Sequence, residues 1–219
     1  MKNLVIIGAG GMGREMYLHA MDCVGYGKEY RVKGFIDDNI HSLENYKGYP
    51  PVLSTIDEYE ICNDDVFVGS IGNVQSKKRC IEKIVQKGGQ FISLIHPSAR
   101  IAIDATLGKG VIIMRRVDIG SYAIIGDYTF IQIDAAIGHD SSIGAFSRID
   151  CKAVCVGGVK VMEESTIHTS AVISHHVTVG KRAIVGALSL VITDVMEDTT
   201  VVGNPVLTCI PHTFFKKKS

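Results

Sequence analysis

The sequence lacks several features that would place it in a specialised class of protein. It contains no Trp, only 7% aromatic residues and 5 Pro, and its 23 Lys plus Arg balance 23 Asp plus Glu. Binding a nucleic acid backbone needs a basic surplus, so we expect no nucleic acid partner. No apolar run is long enough to cross a bilayer, and the first one is broken early by Gly8. We therefore expect neither a signal peptide nor a membrane partner.

The 6 cysteines lack any pairing pattern. They stand at positions 23, 62, 80, 151, 155 and 209, with no C-x-x-C motif. Such spacing is typical of free thiols in a reducing compartment, which predicts a cytoplasmic location. The hydrophobic content of 46% is mostly aliphatic and small, which suits a repetitive β core.

What the sequence does contain is a repeat of six residues. From Ile95 to Val191 every sixth residue is aliphatic except Cys155, and the residue four positions later is always Ala, Ser, Thr or Val. Gly often follows the aliphatic residue, where we expect a turn. Neither a helix nor an ordinary strand has a period of six. Six residues fit one side of a triangular coil, so eighteen residues form a coil and the coils stack at parallel-strand spacing. The repeat predicts a parallel β-helix.

The chain before residue 95 has a different pattern, typical of a small α/β domain. Strands are predicted at 3–7, 31–36, 66–70 and 91–94, helices at 12–24 and 75–87, and a loop at 45–52. The predicted organisation is an α/β domain at 1–94, a β-helix at 95–201 and a C-terminal tail at 202–219.

A glycine-rich loop follows the first predicted strand. The pattern Gly8-x-Gly10-x-x-Gly13 before a helix is typical of a loop that holds a phosphate. Asp37 and Asp38 end the second strand, where dinucleotide-binding folds place an acid that binds ribose. A nicotinamide enzyme fits this local pattern, but the second mononucleotide half of that fold is replaced by the repeat. We therefore expect a ligand with one nucleoside, two phosphates and a further group, with a purely structural turn as the alternative.

The repeat also aligns two histidines. His139 lies two residues beyond the inward Ile137, and successive steps of eighteen residues lead to Gly157 and His175. The two histidines are then about 10 Å apart along one edge. Acyl transfer needs a base for the attacking amine or hydroxyl and a donor for the developing oxyanion. His139, with Asp140 beside it, and the Gly157 N–H are candidates for these roles, and an ordinary exposed turn is the alternative.

The segments VIIGAGGMGRE, GFIDDN, VFVGSIGN, IHPSA and VVGNP, together with the hexapeptide repeats, resemble one family of enzymes. They are similar to the sugar O- and N-acyltransferases of the sialic acid O-acetyltransferase and bacillosamine N-acetyltransferase group. The resemblance implies a Rossmann-like half domain that binds a nucleotide-sugar, usually UDP-linked. It also implies a left-handed β-helix that forms a homotrimer and binds acetyl-CoA between subunits.

The resemblance further implies roles for individual residues. His139 would be the general base, Asp140 its partner and the Gly157 N–H the donor to the thioester carbonyl. Implied substrate-binding residues are Gly8, Gly10, Gly11, Met12, Gly13, Asp37, Asp38 and Arg148; implied cofactor-binding residues are Gly157, Gly158, His175 and His176. No metal ligand is expected.

Several residues depart from the family pattern. Met12 and Arg148 each stand where a His is common, and Asp140 stands where Glu is frequent. His175 and His176 replace a turn that usually carries Pro-Gly beside the cofactor. Each change affects a region that faces a ligand, so the substrate or acyl donor can differ from that of the best-known members.

The expected function is acetyl-CoA-dependent transfer of an acetyl group to an amino or hydroxyl group of a nucleotide-linked or free sugar, in surface glycan synthesis. One alternative is a non-catalytic trimeric binding or scaffold protein, favoured by the changes at positions 148, 175 and 176. Another is a nicotinamide enzyme. A zinc carbonic anhydrase would need a further His shortly after His176, and VTVGKR at 177–182 has none.

Overall fold

A computed structural model describes residues 1–211 of the chain, with side chains described up to residue 206. The chain divides into two compact units, of which the first is Met1–Pro97 and the second begins at Ser98. The sequence analysis draws this boundary after residue 94. None of the helices in the described part of the chain has the length and apolar character that crossing a membrane requires.

The first unit is built on a parallel sheet with helices in the connections. Its strands lie in the order β3-β2-β1-β4-β5, and every neighbouring pair is parallel. The elements are β1 (Lys2–Ile7), α1 (Gly11–Asp22), β2 (Tyr30–Ile36), β3 (Val52–Ser54), β4 (Asp65–Gly69), α2 (Val74–Gln86) and β5 (Gln90–Phe91).

The sequence explains these elements. The apolar run of β1 is fully buried because β1 is the central strand and both faces of a parallel sheet are covered. α2 begins after Asn73, whose side chain accepts a hydrogen bond from the Ser76 N–H at 2.9 Å. The predicted α/β pattern is confirmed, with element ends within two residues, except that β3 was not predicted and that β5 is shorter than the predicted strand 91–94. β3 has only three residues, too few to give a period.

The hexapeptide region forms strands of two residues each. They are β6 (Leu94–Ile95), β7 (Arg100–Ile101), β8 (Thr106–Leu107), β9 (Ile112–Ile113), β10 (Asp118–Ile119), β11 (Ile124–Ile125), β12 (Phe130–Ile131), β13 (Ala136–Ile137), β14 (Ser142–Ile143), β15 (Arg148–Ile149), β16 (Val154–Cys155), β17 (Lys160–Val161), β18 (Thr166–Ile167), β19 (Val172–Ile173), β20 (Thr178–Val179), β21 (Ile184–Val185) and β22 (Leu190–Val191). Two longer strands follow, β23 (Thr199–Gly203) and β24 (Val206–Pro211).

Within the second unit, the short strands form three parallel faces. One face runs β7-β10-β13-β16-β19-β22, the next β8-β11-β14-β17-β20, and the third contains β9-β12-β15-β18-β21-β23. From β7 to β19 each strand pairs with the strand eighteen residues later, as Ile119 does with Ile137, whereas Ile184 of β21 pairs with Thr200, sixteen residues later. The predicted parallel β-helix with eighteen residues per coil is confirmed.

In the repeat, positive φ angles do not occur at the glycines that directly follow an inward residue. Asp140 has φ 55° and His176 has φ 58°, each three residues beyond an inward aliphatic residue. The glycine directly after an inward residue instead permits close stacking of coils. A Cβ at Gly120, for example, would lie 2.7 Å from the backbone nitrogen of His139 in the next coil. These glycines are therefore needed for spacing between coils, not for the turn that the sequence analysis expected.

The described part of the β-helix ends in a hairpin. β23 joins the parallel face through β21, and β24 pairs antiparallel with β23. Residues 206–211 thus form a strand within the range assigned to a tail from the sequence. The lysine-rich end of the predicted tail, 212–219, lies outside the described residues.

Candidate active site

The His139 side chain is held by its neighbour in the chain. Its Nδ1 lies 2.6 Å from Oδ2 of Asp140, and 66% of the imidazole is exposed. An ionised carboxylate only accepts hydrogen bonds, so Nδ1 carries the proton and donates it to Asp140. The lone pair is then on Nε2, which is the arrangement that a general base requires.

The positive φ of Asp140 makes this contact between adjacent residues feasible. Asp and Asn tolerate the left-handed region better than most residues. The backbone N–H of Asp140 donates to the Ser121 carbonyl at 2.9 Å, which fixes the turn on the preceding coil. The carboxylate is thereby directed back to the ring of His139.

Gly157 lies directly against the His139 ring, as the spacing of eighteen residues predicts. A Cβ at this position would lie 2.5 Å from Nε2, so a side chain here would displace the imidazole. Gly157 is buried, and its N–H has no acceptor among the residues that the structure describes. A buried donor without an acceptor is costly, and it suits a site where a ligand oxygen arrives.

A groove of about 470 Å³ surrounds this pair on the β7-β10-β13-β16-β19 face. Its walls include His139, Gly157 and His175 together with Ala136 and Val154. At the end nearest β7, Arg100 and Asp118 form an ion pair of 2.7 Å. The groove thus combines an apolar floor, one imidazole–carboxylate pair and several backbone N–H groups, that of Gly157 among them, that have no acceptor in the described part of the chain.

The remaining residues predicted to bind the cofactor lie along the same corner. His175 lines the groove, while the ring of His176 packs against the Cα of Gly158. The two histidine rings are 6.3 Å apart between centroids. Gly158 donates its N–H to the His139 carbonyl at 2.8 Å, so it supports the turn that carries the candidate base.

Arg148 has a local partner that the sequence analysis missed. Its Nε lies 2.8 Å from Asp150 Oδ1, and Asp150 Oδ2 also lies 2.8 Å from His168 Nδ1. Gln132 donates to the same carboxylate at 2.7 Å. The Arg148 side chain is only 16% exposed and lies on the β12-β15-β18 face, apart from the residues that line the His139 groove.

A second pocket, of about 450 Å³, lies in the first unit. It is lined by Gly8, Asp37 and Asp38, as the sequence predicts, and also by Ile56 and Ile71. Four further lining residues, Ser76, Arg79, Cys80 and Lys83, belong to α2 and were missed by the sequence analysis. The sequence pattern predicts that these residues are helical and lie on one side of the helix. It does not predict that this side borders a pocket.

The two aspartates of this pocket have different surroundings. Both oxygens of Asp37 accept backbone hydrogen bonds, from Ala9 at 2.7 Å and from Asn39 at 2.8 Å. Asp37 therefore fixes the glycine-rich loop to the end of β2. Asp38 accepts one backbone hydrogen bond, from Ile56 at 3.2 Å, which leaves its other oxygen for a ligand.

The glycines of the loop fall into two groups. Gly8 has φ +97°, and a Cβ at Gly13 would collide with the Gly8 carbonyl, so both are needed for the turn itself. A Cβ at Gly10 would meet nothing within 4 Å, and one at Gly11 only the end of the Arg14 side chain. Since no side chain caps α1 at Gly10, its first amides are available to an anion.

Met12 supports the loop through its backbone. Its carbonyl accepts a hydrogen bond from Ser70 Oγ at 2.9 Å, and the residue is half-buried. A thioether offers only a weak acceptor, so this side chain gives a ligand no strong polar contact. Among the side chains that the structure describes, up to residue 206, no group of three or more His, Cys, Asp or Glu is arranged to hold a metal ion.

Comparison with known proteins agrees with both units. Residues 3–84 match the family model of the PglD N-terminal domain. The chain is 29% identical over 118 residues to the UDP-N-acetylbacillosamine N-acetyltransferase of Bacillus subtilis (strain 168), covering 52% of each protein. It therefore spans about half the length of that relative. It is 28% identical over 192 residues to the GDP-perosamine N-acetyltransferase of Escherichia coli O157:H7, covering 83% of this chain and 82% of that protein.

The fold comparison covers nearly the whole chain. The acetyltransferase domain of PglB from Neisseria gonorrhoeae FA1090, solved in complex with acetyl coenzyme A, superposes with a TM-score of 0.84. The two are 26% identical, and the match covers 94% of this chain and 98% of that domain. Residues 3–84 thus resemble a PglD N-terminal domain, and the chain as a whole is similar in sequence and in fold to these sugar acetyltransferases.

Proposed function

We propose that the chain transfers the acetyl group of acetyl-CoA to an amino group on a nucleotide-linked sugar. The observation that carries this proposal is the His139–Asp140 pair beside the unpaired Gly157 N–H in a groove of the β-helix. The relatives support the substrate class, since their names specify N-acetyltransferases for UDP- and GDP-linked sugars. The PglB domain, solved with acetyl coenzyme A, supports the acyl donor.

The residues of the groove account for each proton and charge in the reaction. His139 Nε2 takes the proton from the sugar amine as its nitrogen forms a bond to the thioester carbonyl carbon. The Gly157 N–H stabilises the negative charge that develops on the carbonyl oxygen. When the carbon–sulfur bond breaks, the imidazolium returns its proton to the departing thiolate of CoA. Asp140 stabilises the imidazolium between these steps.

The pocket of the first unit provides the nucleotide site in this proposal. Asp38 has a carboxylate oxygen available for the nucleoside, and the N–H groups of Gly10 and Gly11 have no acceptor among the described residues. Asp37 and Gly13 shape the loop, and Met12 contributes backbone only. Half of a dinucleotide fold is sufficient for a nucleoside diphosphate with a sugar attached.

The acyl donor in this proposal lies along the corner that carries His139 and His175. The pantetheine arm of acetyl-CoA has aliphatic segments between its two amides, and these segments suit the Ala136 and Val154 floor of the groove. His175 lines the groove two coils beyond His139, so it contacts the donor without reaching the reacting carbon. His176 and Gly158 support this corner from outside the groove.

Three further features belong to the same proposal. We propose a homotrimer because cyclic assembly suits a repeated face of a β-helix and because the resembled family shares its site between subunits. The resemblance also supports a role in surface glycan synthesis. The scattered free cysteines support a cytoplasmic location.

A non-catalytic binding protein is the second candidate, favoured by one observation. The Arg148 guanidinium is engaged by Asp150, so it does not replace the polar contact of the His that is common at this position. This candidate predicts nucleotide-sugar binding without turnover.

A direct assay separates the candidates. The purified protein is mixed with acetyl-CoA and a panel of UDP- and GDP-linked amino and hydroxy sugars. The released thiol is measured, and the masses of the products are determined by mass spectrometry. The proposal expects thiol release and a product heavier by one acetyl group only with amino sugars. Binding of a nucleotide-sugar without thiol release would favour the non-catalytic alternative. Binding of NAD without binding of any nucleotide-sugar would favour the nicotinamide enzyme.

A further inference from the structure

One face of α2 forms a basic wall of the nucleotide pocket in the first unit. Ser76, Arg79 and Lys83 line the pocket together with Asp38 and with Gly8 of the glycine-rich loop. Their spacing of three and four residues puts them on one side of the helix. The sequence motif for phosphate binding includes none of these residues.

The charges of this wall are not equally neutralised. Lys83 forms an ion pair of 2.7 Å with Asp57, and this partner raises the pKa of the lysine. Arg79 has a different environment, since its guanidinium contacts Ser76 Oγ at 3.2 Å and no carboxylate in the described part of the chain. The pocket therefore contains one arginine whose charge has no counter-ion among the described residues.

A guanidinium of this kind is suited to a phosphate ligand. It is planar and always charged, and it binds two phosphate oxygens at once. The same pocket includes Gly8, which begins the loop in which the N–H groups of Gly10 and Gly11 have no acceptor among the described residues. A ligand that occupies the pocket thus meets a cation from α2 and the glycine-rich loop after β1.

We propose that Arg79 binds the diphosphate of the nucleotide-sugar and makes the pocket selective for nucleoside diphosphates over the corresponding nucleosides. This inference rests on the proposed function, because it assigns a residue to the nucleotide site of that reaction. Lys83 contributes less, since its charge is compensated by Asp57. Arg79 acts in substrate binding and has no role in the chemical step.

The test measures binding of UDP, GDP, uridine and guanosine to the full chain by calorimetry. Arg79→Gln should weaken diphosphate binding about tenfold to a hundredfold, the effect of losing a hydrogen bond to a charged group. Nucleoside binding should change little, and Arg79→Lys should have an intermediate effect. The matched control is Arg31→Gln, which removes another exposed arginine of the first unit that does not line the pocket.

The outcomes of this experiment distinguish a wrong role for Arg79 from a wrong proposed function. If wild-type chain binds the diphosphates and Arg79→Gln binds them equally well, the inference is wrong while the proposed function stands. An equal loss for nucleosides and diphosphates would also overturn it, because Arg79 would then only shape the pocket. A wild-type chain that binds none of the four compounds contradicts the proposed function as well.

Discussion

Gly157 leaves the space that the His139 ring occupies while Asp140 holds the ring. A Cβ there would lie 2.5 Å from Nε2 and would touch the end of an exposed side chain, which can move aside. Displacing a catalytic group by about 1 Å costs roughly a hundredfold in rate. We expect Gly157→Ala to lower kcat by about this factor with little change in Tm, as measured by thiol release and thermal unfolding.

The matched control for this substitution is another glycine of the repeat. At Gly126 a new Cβ would lie 2.6 Å from the backbone nitrogen of Ala145, which cannot move without shifting the coil. Gly126→Ala should therefore lower Tm. Equal loss of Tm in the two variants, or an unchanged kcat for Gly157→Ala, would contradict the assigned role of Gly157.

The position of a residue in the repeat can be predicted from the sequence, because its neighbour in the next coil is the residue eighteen positions later. The period by itself aligns His139, Gly157 and His175 on one edge of the β-helix. Arg148 is different, since the direction of its side chain depends on Asp150 at the next corner and on His168 one coil further. The sequence pattern specifies which residues point inward but does not specify the contacts among long outward side chains.

Two strands of the first unit, β2 and β4, are linked by a partly buried ion pair. Lys33 on β2 lies 2.8 Å from Asp65 at the start of β4, and Tyr59 donates to the same carboxylate at 2.7 Å. Burial raises the pKa of Asp65, but hydrogen bonds from Lys33, the Cys62 N–H and Tyr59 outweigh this. The pKa therefore lies below its ordinary value of 3.8.

A lowered pKa in the folded state links this contact to stability. The ionised Asp65 carboxylate contributes to the free energy of unfolding. This contribution is fully present at pH values above the ordinary pKa and is lost as the pH falls through the lower pKa of the folded state. Asp65→Asn should lower the free energy of unfolding at pH 7, and its difference from wild type should shrink at about pH 3, as measured by urea unfolding. Asp64→Asn is the control, because Asp64 is 68% exposed and its contact with Lys2 is 3.4 Å long. A difference that is the same at both pH values would contradict this account.

Whether a helix or strand can be predicted from the sequence depends on its length. The long elements β1, β2, α1 and α2 are predicted by their apolar patterns. β3 was missed because three half-buried residues after a turn-rich stretch give no period. The basic wall of α2 was missed for another reason, since the pattern identifies the buried side of a helix but not a pocket beside the exposed side.

As a single chain, the protein exposes several large apolar side chains of the β-helix to solvent. Ile103, Tyr122, Ile124, Met162 and Leu188 are all exposed. Contact with further copies would remove such surface from water. We expect light scattering at micromolar concentration to give three times the mass of the chain. A monomer at this concentration would contradict the trimer and any mechanism that shares the site between subunits.

The role of His139 as general base is measured by acetyl transfer with the whole protein. His139→Ala should lower kcat for thiol release by about a hundredfold to ten-thousandfold, the usual contribution of a general base. His175→Ala removes the same residue type from the same groove two coils away, so it should raise the KM for acetyl-CoA more than it lowers kcat. If His139→Ala keeps a nearly normal kcat while His175→Ala abolishes turnover, the account has assigned the base to the wrong coil.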